Sequence, residues 1–168
     1  HRLANGYFAV VPQERVGSAW MPTLEAAAAG IAAADFGARG FALMGISAAR
    51  MHHVTPRAVG VAVVAAPRRR KTIELTDRRA AVRFLVRDLE VMDLELMETD
   101  LGRCLVTTPE QTLLDLSHRA GQRGLTEDVA AAMRALAPLC DPEELEVIAG
   151  RQRLGRALGR LRREGLVP

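Results

Sequence analysis

The sequence predicts an α+β fold, in which a small mixed β-sheet is flanked by helices and followed by a C-terminal helical subdomain. An alanine-rich helical run lies in the first third, β-branched and alternating runs fill the middle, and amphipathic segments with helix caps fill the last third. The chain has 168 residues, of which 49% are hydrophobic, so it can bury a substantial core.

The first third of the chain predicts two helices. Thr23 is the expected N-cap of a helix that begins at Leu24 and continues through an alanine-rich run to Ala34. A second helix is predicted over residues 41–53, and Pro56 would end it. Side chains this small favour close packing of the first helix against another element.

The middle of the chain predicts the sheet. Residues 59–66 form a continuous β-branched and alanine run, which is typical of a strand buried on both faces. Residues 72–76, 82–87 and 94–99 alternate between apolar and polar side chains, and residues 105–107 predict a short strand before a helix.

The last third predicts four helices. Thr108 is the expected N-cap of the first, with Pro109 at its first helical position. Helices are also predicted to begin after Thr126 and after Asp141. A last basic helix has leucines at helical spacing and runs to Glu164, and it is predicted to carry Arg153, Arg156, Arg160 and Arg163 along one side.

The N-terminal residues predict a turn at Asn5 and Gly6, followed by a strand that Pro12 ends. A strand that follows a tight turn needs a partner strand. We expect this partner to come from a preceding element, so that residues 1–12 are the end of a larger N-terminal unit.

The charges are unevenly distributed, although the net charge is only +3. Bases outnumber acids in residues 68–79. Residues 88–100 contain six acids and no base, and residues 151–163 contain six arginines and no acid. Such an asymmetry can steer a partner towards one face. Alternatively, the blocks pair with each other as solvated surface.

The basic segments predict contact with a nucleic-acid backbone, because the planar fork of arginine suits phosphate and neither segment contains an aromatic side chain for base stacking. The alternative is an arginine-rich surface without a ligand. The predicted nucleic-acid-binding residues are Arg68, Arg69, Arg70, Lys71, Arg78, Arg79, Arg153, Arg156, Arg160 and Arg163.

The sequence carries no phosphate-binding loop, dinucleotide fingerprint or zinc-protease motif. Asp115 and His118 lie three residues apart on one predicted helix, where they could form an acid–base pair or a local salt bridge. A metal site can be imagined from histidines and cysteines, but their spacing matches no ligand pattern. Its members would be His52, His53, His118, Cys104 and Cys140. We therefore expect no catalytic residues, no cofactor and no metal.

The sequence predicts a cytoplasmic protein. No apolar run approaches the length needed to cross a bilayer, and no signal peptide opens the chain. Cys104 and Cys140 are the only cysteines, which argues against a disulfide-stapled secreted domain.

Several segments, taken in order, resemble the AbiEi antitoxin family of abortive-infection toxin–antitoxin systems, in particular its actinobacterial branch. The resemblance lies in residues 6–12, residues 42–50, residues 56–58 before the valine strand, the basic turn after that strand, and residues 106–116. Its most specific part is the Thr-Thr-Pro-Glu-Gln-Thr-Leu-Leu-Asp-Leu run that opens the helix after Thr107.

The resemblance implies an N-terminal winged helix-turn-helix that binds the promoter of its own operon, followed by a C-terminal antitoxin domain. Residues 1–12 would be the end of the wing, and this chain would lack the recognition helix. Residues 13–168 would be the antitoxin domain, with a helix pair and sheet over 13–108 and a helical part over 109–168. The resemblance also implies a nucleotidyltransferase-like toxin as partner and no catalysis by the antitoxin.

The predicted function is therefore that of a DNA-binding transcriptional autoregulator and antitoxin, with double-stranded DNA and the toxin as partners. An alternative is a protein-interaction module whose acidic block docks a basic partner. A third hypothesis is an enzyme that uses Asp115 and His118.

Overall fold

The computed structural model describes residues 1–55, 60–123 and 126–168. Its strands are β1 (Arg2–Ala4), β2 (Tyr7–Phe8), β3 (Ala42–Leu43), β4 (Val61–Ala66), β5 (Ile73–Glu74), β6 (Ala81–Val86), β7 (Leu94–Thr99) and β8 (Gly102–Thr107). Its helices are α1 (Leu24–Phe36), α2 (Ile46–Met51), α3 (Pro109–Arg123), α4 (Glu127–Leu136), α5 (Pro142–Arg151) and α6 (Gly155–Arg163). None of the described helices is long and apolar enough to span a membrane.

The central sheet has six strands in the order β5-β6-β4-β3-β8-β7. The pairs β4/β6 and β3/β8 are parallel, and the remaining neighbours are antiparallel. The sheet is therefore mixed, and helices flank it, which confirms the predicted fold class. The edge strands are β5 at one end and β7 at the other.

Strand β4 is buried on both faces, as its β-branched run predicts. Ala62 and Val64 pack in the core that contains α1, whereas Val63 and Ala65 pack on the opposite face with Met92. This alternation follows from the two-residue period of a strand. Val59 and the predicted helix terminator Pro56 lie outside the described residues.

The C-terminal helices form a core of their own. It contains Leu113 and Leu114 of α3, Leu136 of α4, Leu145 of α5 and Leu161 of α6, all at most 1% exposed. This agrees with the predicted helical part after residue 108, although the predicted division into domains stays a prediction.

The helix caps that the sequence predicts are present. Thr23 Oγ1 accepts a hydrogen bond from the Ala26 amide at 3.3 Å, and Thr108 Oγ1 accepts one from the Gln111 amide at 3.3 Å. Asp141 Oδ1 likewise accepts a hydrogen bond at the start of α5. These side chains satisfy amides that would otherwise lack an intrahelical partner.

The helix predicted over residues 41–53 is wrong in its first part. Leu43 lies in β3, where it pairs with Val64 on one side and Val106 on the other. Gly45 has φ +57°, and the helix is confined to Ile46–Met51. A short apolar run does not distinguish a buried strand from a buried helix, which explains the error.

The strand after the N-terminal turn has a partner within this chain, so the predicted need for a partner from a preceding element is wrong. Arg2 pairs with Phe8 and Ala4 pairs with Tyr7, while Gly6 has φ +84° in the turn. Leu3 is buried in the core that contains α1 and the sheet. The origin of residues 1–12 as the end of a wing stays a prediction.

Candidate nucleic-acid interface

The basic run after β4 contains a cation that is held by the fold. Arg70 donates from Nε to Asp35 Oδ2 at 2.6 Å and from Nη2 to Tyr7 Oη at 2.7 Å, and Tyr7 Oη donates to Asp35 Oδ1 at 2.7 Å. Burial opposes ionisation of Asp35, but the hydrogen bonds from Arg70 and Tyr7 outweigh it and lower its pKa. The hydrogen bond to Asp35 in turn raises the pKa of Arg70. Arg70 therefore joins the hairpin, α1 and the β4–β5 connection.

The other members of this run differ in whether their side chains contact the rest of the fold. The guanidinium of Arg68 lies 5.1 Å from the centroid of the Phe36 ring, a cation–π contact, and its Nη2 donates to Asp35 O at 3.3 Å. Arg69 and Lys71 are exposed and form no ion pair with a described residue. These two side chains are the ones in the run that can turn fully towards a phosphate.

This difference predicts separate effects for neighbouring substitutions. Arg70→Ala should lower the free energy of unfolding by about 1–2 kcal/mol, because two hydrogen bonds are lost from a side chain that is one-third exposed. Arg69→Ala should change it by about 0.5 kcal/mol or less. Urea unfolding of both variants measures the difference, and equal losses of stability would contradict the structural role of Arg70.

A second group of arginines surrounds a cleft at the β5 edge of the sheet. The cleft has a volume of about 510 Å³ and is lined by Arg78, Arg79 and Arg83 together with Glu74. Arg78 donates to both carboxylate oxygens of Asp77, at 3.0 and 2.8 Å, so it is engaged within the fold. We call the cleft and its three arginines the basic cleft.

Arg79 and Arg83 are exposed and form no ion pair with a residue in the described part of the chain. Arg83 was missed by the sequence analysis, although a signal existed. Val82 and Phe84 are buried towards α1, so alternation along β6 places Arg83 on the opposite face of the sheet.

The C-terminal arginines lie on α6, whose apolar side chains pack into the helical core. Leu158 and Leu161 are buried in the helical core, as predicted, while Arg156 and Arg163 are exposed and Arg160 is half-buried. Arg156, Arg160 and Arg163 form no ion pair with any of the described residues.

Arg153 is not part of this helix, contrary to the prediction that it lies in a row with the arginines of α6. It precedes α6 with φ +56°. It lines a concavity of about 340 Å³ with Arg151 and with Arg87 at the end of β6. The predicted row of arginines along one helix is therefore broken at its first member.

Two members of the acidic block, Glu95 and Glu98, lie at the opposite edge of the sheet from the basic cleft. Glu95 and Glu98 belong to the edge strand β7, and their side chains are 44% and 80% exposed. Five strand spacings of about 4.8 Å separate the two edges by about 24 Å. These two acids are therefore separated in space from the basic cleft, whereas Asp93 pairs with Arg151 at 3.7 Å, as the alternative of pairing between the charged blocks predicts.

Asp115, one member of the predicted acid–base pair, forms an ion pair with Arg87. Its carboxylate accepts a hydrogen bond from Nη2 of Arg87, and its side chain is 1% exposed. Burial raises the pKa of Asp115 from its ordinary 3.8 to about 6, although Arg87 and Arg119 oppose the rise. Sequence reasoning missed Arg87, because the pair joins elements 28 residues apart.

Three of the five candidate metal ligands, His52, Cys104 and Cys140, are buried or hydrogen-bonded within the fold. His52 Nε2 lies 2.8 Å from Thr107 O, and burial raises the pKa of Cys104 to about 11 and that of Cys140 to about 12. Both thiols are therefore protonated at neutral pH. Residues 1–55, 60–123 and 126–168 contain no group of three or more histidine, cysteine or acidic side chains that could hold a metal ion.

The family model for the AbiEi antitoxin C-terminal domain matches residues 41–163. The matched range covers most of the chain and runs from the start of β3 to the end of α6. The chain belongs to the AbiEi antitoxin C-terminal domain family. Its AbiEi range therefore includes the basic cleft, the acidic block and the arginines of α6.

The most specific run of the AbiEi resemblance forms the junction between β8 and α3. Thr107 and Thr112 share a hydrogen bond of 2.7 Å between their hydroxyls, and Thr108 caps α3. Gln111 accepts a hydrogen bond from the Asp93 amide at 3.1 Å, and Asp115 lies one turn further along. This run of the AbiEi domain therefore builds a buried polar junction.

In a comparison of structures, the AbiEi domain is similar to an antigenic nucleotidyltransferase-like protein from Paracoccidioides brasiliensis. The TM-score is 0.48 at 12% sequence identity, and the alignment covers 74% of this chain and 79% of that chain. No curated protein matches the AbiEi domain by sequence.

Proposed function

We propose that this chain is the C-terminal domain of an antitoxin that also represses its own operon by contacting promoter DNA. A nucleotidyltransferase-like toxin is the second proposed partner. The observation that carries the proposal is that a domain of the AbiEi antitoxin family presents exposed cations without described acidic partners. In this role the domain binds its partners in the cytoplasm and catalyses no reaction.

The proposed DNA contacts are made to the phosphate backbone. Arginine and lysine side chains neutralise phosphates and release counterions, whatever the base sequence. Arg69, Lys71 and Arg79 supply such cations near the β5 edge, and Arg156 and Arg163 supply them on α6. Selection of the operator is assigned to the winged helix-turn-helix that the family resemblance implies for the full protein.

The test is a salt series of DNA binding, measured by fluorescence anisotropy on the duplex upstream of the gene. We expect the full protein to bind its own promoter, and this chain to bind duplexes weakly and without sequence preference. The logarithm of the affinity should fall linearly with the logarithm of the salt concentration. Failure of both proteins to bind the duplex would overturn the proposal.

Two sets of substitutions locate the contact surface. One set changes Arg69, Lys71 and Arg79 to glutamine. The other set changes Arg156 and Arg163 to glutamine. Each phosphate contact that is lost should reduce the salt slope by about 0.9. As a control that removes acids instead, Glu95→Gln with Glu98→Gln at the opposite edge should leave the slope unchanged.

A protein-interaction role for the acidic block is the second candidate, because Glu95 and Glu98 are exposed on an edge strand. Charge reversal of both to lysine should then abolish rescue of cells from the toxin while promoter binding persists. If rescue survives the reversal, the acidic block serves as solvated surface that protects the sheet edge.

A further inference from the structure

Strand β7 is the longer of the two edge strands of the central sheet. It has six residues, whereas β5 at the other edge has two, and among the described strands it pairs with β8 alone. The Thr108 amide donates to Asp93 O at 3.1 Å, so Asp93 bonds towards the β8 side. In an antiparallel pair, every second residue bonds towards the partner strand. The backbone amides and carbonyls of Leu94, Leu96 and Glu98 therefore point away from the sheet.

The side chains of β7 leave this edge open to a further strand. Edge strands are commonly blocked by lysine, proline or a bulge, but β7 contains neither residue and pairs with β8 in a regular register. Leu96, in the middle of the strand, is 54% exposed. Glu95 and Glu98 lie on opposite faces, because successive side chains of a strand alternate. The edge is therefore apolar at its centre and acidic on both faces.

A pocket at the C-terminal end of β7 fits a basic side chain. It has a volume of about 390 Å³ and lies between the start of α1, the end of α2 and the end of β7. Its apolar walls include the half-buried Met51 and Met97, and Glu98 and Asp100 are exposed acids beside them. The aliphatic stem of an arginine or lysine can pack on the methionines while its charged head stays near the acids.

The charges around this pocket favour a cation. Arg50 also lines the pocket, but its guanidinium is paired with Glu25 at 2.6 Å. Glu98 lies 3.7 Å from Arg103, and both side chains are largely exposed, so this pair is weak. Asp100 accepts a hydrogen bond from a backbone amide at 2.6 Å and forms no ion pair with a described residue. The uncompensated charge is therefore negative.

We propose that β7 binds a basic extended segment of a partner protein as an added strand, with one arginine or lysine side chain in this pocket. Directly opposite side chains on neighbouring strands share a face, so the residue opposite Met97 enters the pocket. Main-chain hydrogen bonds supply affinity, and the pocket with the two glutamates selects a basic segment. The inference deepens the protein-interaction role proposed for the acidic block and rests on it.

The test combines this chain with a synthetic peptide of alternating arginine and valine. Amide hydrogen exchange, followed by NMR, reports on the edge itself. Binding should slow exchange of the Leu94, Leu96 and Glu98 amides, because each gains or is covered by a strand hydrogen bond, whereas a purely electrostatic contact leaves them exchanging as before. A peptide of alternating glutamate and valine is the matched control and should not bind.

Substitution of Leu96 tests the backbone contact. Leu96→Pro removes the central outward amide, and proline is tolerated on an edge strand where the amide faces solvent. Leu96→Ala removes the same side chain but keeps the amide. The proline variant should bind the basic peptide about tenfold more weakly than the alanine variant.

Substitution of Asp100 tests the pocket. Asp100→Asn removes the charge and keeps an oxygen that can accept the backbone hydrogen bond, so binding of the basic peptide should weaken about threefold. Glu143→Gln is the matched control, because it makes the same change in net charge at an exposed position on α5. Its affinity should equal that of the unsubstituted chain.

The proposal is overturned if the arginine–valine peptide does not bind the folded chain at millimolar concentration, or binds without slowing exchange at the edge. Equal affinity of Leu96→Pro and Leu96→Ala, both shown to be folded by their melting temperatures, would also overturn it. Slow exchange in the chain alone that increases with its concentration would assign the edge to a second copy instead.

Failure of this inference is distinguishable from failure of the proposed function. The peptide measurements contain neither DNA nor toxin, so loss of promoter binding leaves them unaffected. If charge reversal of Glu95 and Glu98 abolishes rescue but the peptide leaves the edge amides unprotected, the acidic block binds a protein without strand addition.

Discussion

Replacing Glu25 by alanine is expected to lower the free energy of unfolding by about 3–5 kcal/mol. Glu25 Oε1 accepts a hydrogen bond from Arg50 Nε at 2.6 Å, and both side chains are only 10% exposed. Arg50 also donates to Ser47 Oγ at 3.1 Å and to Val61 O at 2.8 Å, so the pair joins α1, α2 and β4. Without Glu25, the Arg50 guanidinium would remain buried without its counter-charge.

Urea unfolding measures this loss, and two comparisons interpret it. Glu146 pairs with Arg162 on the surface, where the side chains are 54% and 46% exposed, so Glu146→Ala should cost less than about 1 kcal/mol. The double variant Glu25→Leu with Arg50→Met removes both charges and should recover much of the loss. Similar losses for Glu25→Ala and Glu146→Ala would show that the Glu25 pair is solvated.

The elements that follow from local sequence rules were predicted well. Thr23, Thr108, Thr126 and Asp141 each accept an amide hydrogen bond at the start of the helix that the sequence assigns to them. A cap depends on a side chain and the amides two or three residues later, so the signal and its effect are adjacent. For that reason these helix starts could be found without knowledge of the tertiary fold.

The errors arose where distant segments decide the structure. Leu43 forms a strand because Val64 and Val106 lie on either side of it, and neither neighbour is visible in the local apolar run. The N-terminal turn found its partner in Arg2–Ala4, a segment too short to show alternation. In both places tertiary pairing overrode the local pattern.

The candidate interface was predicted in composition but not in arrangement. The sequence shows that arginines cluster, but only the fold shows that Asp35 holds Arg70 and that Asp77 holds Arg78. Arg83 could have been found from the alternation of β6. The pairing of Arg87 with Asp115 could not, because it depends on how α3 packs against the sheet.

The stability of the chain is expected to depend on pH through Asp115 in an unusual direction for a carboxylate. Its pKa is raised from 3.8 to about 6 by burial, against the opposing effects of Arg87 and Arg119. The folded chain therefore binds the proton more tightly than the unfolded chain does. The contribution of Asp115 to stability is fully present below pH 3.8 and is lost as the pH rises through about 6.

Unfolding of the unsubstituted chain and of Asp115→Asn at pH 4.5, 6.0 and 7.5 isolates this contribution, because asparagine does not titrate. Relative to the variant, the unsubstituted chain should lose about 2 kcal/mol between pH 4.5 and pH 7.5, because the pKa of Asp115 is 3.8 in the unfolded chain and about 6 in the folded chain. His118 and Asp115 line the same concavity, so the comparison is repeated with His118→Gln in both chains. If the difference between aspartate and asparagine stays constant with pH, Asp115 is ionised throughout, and Arg87 compensates fully for its burial.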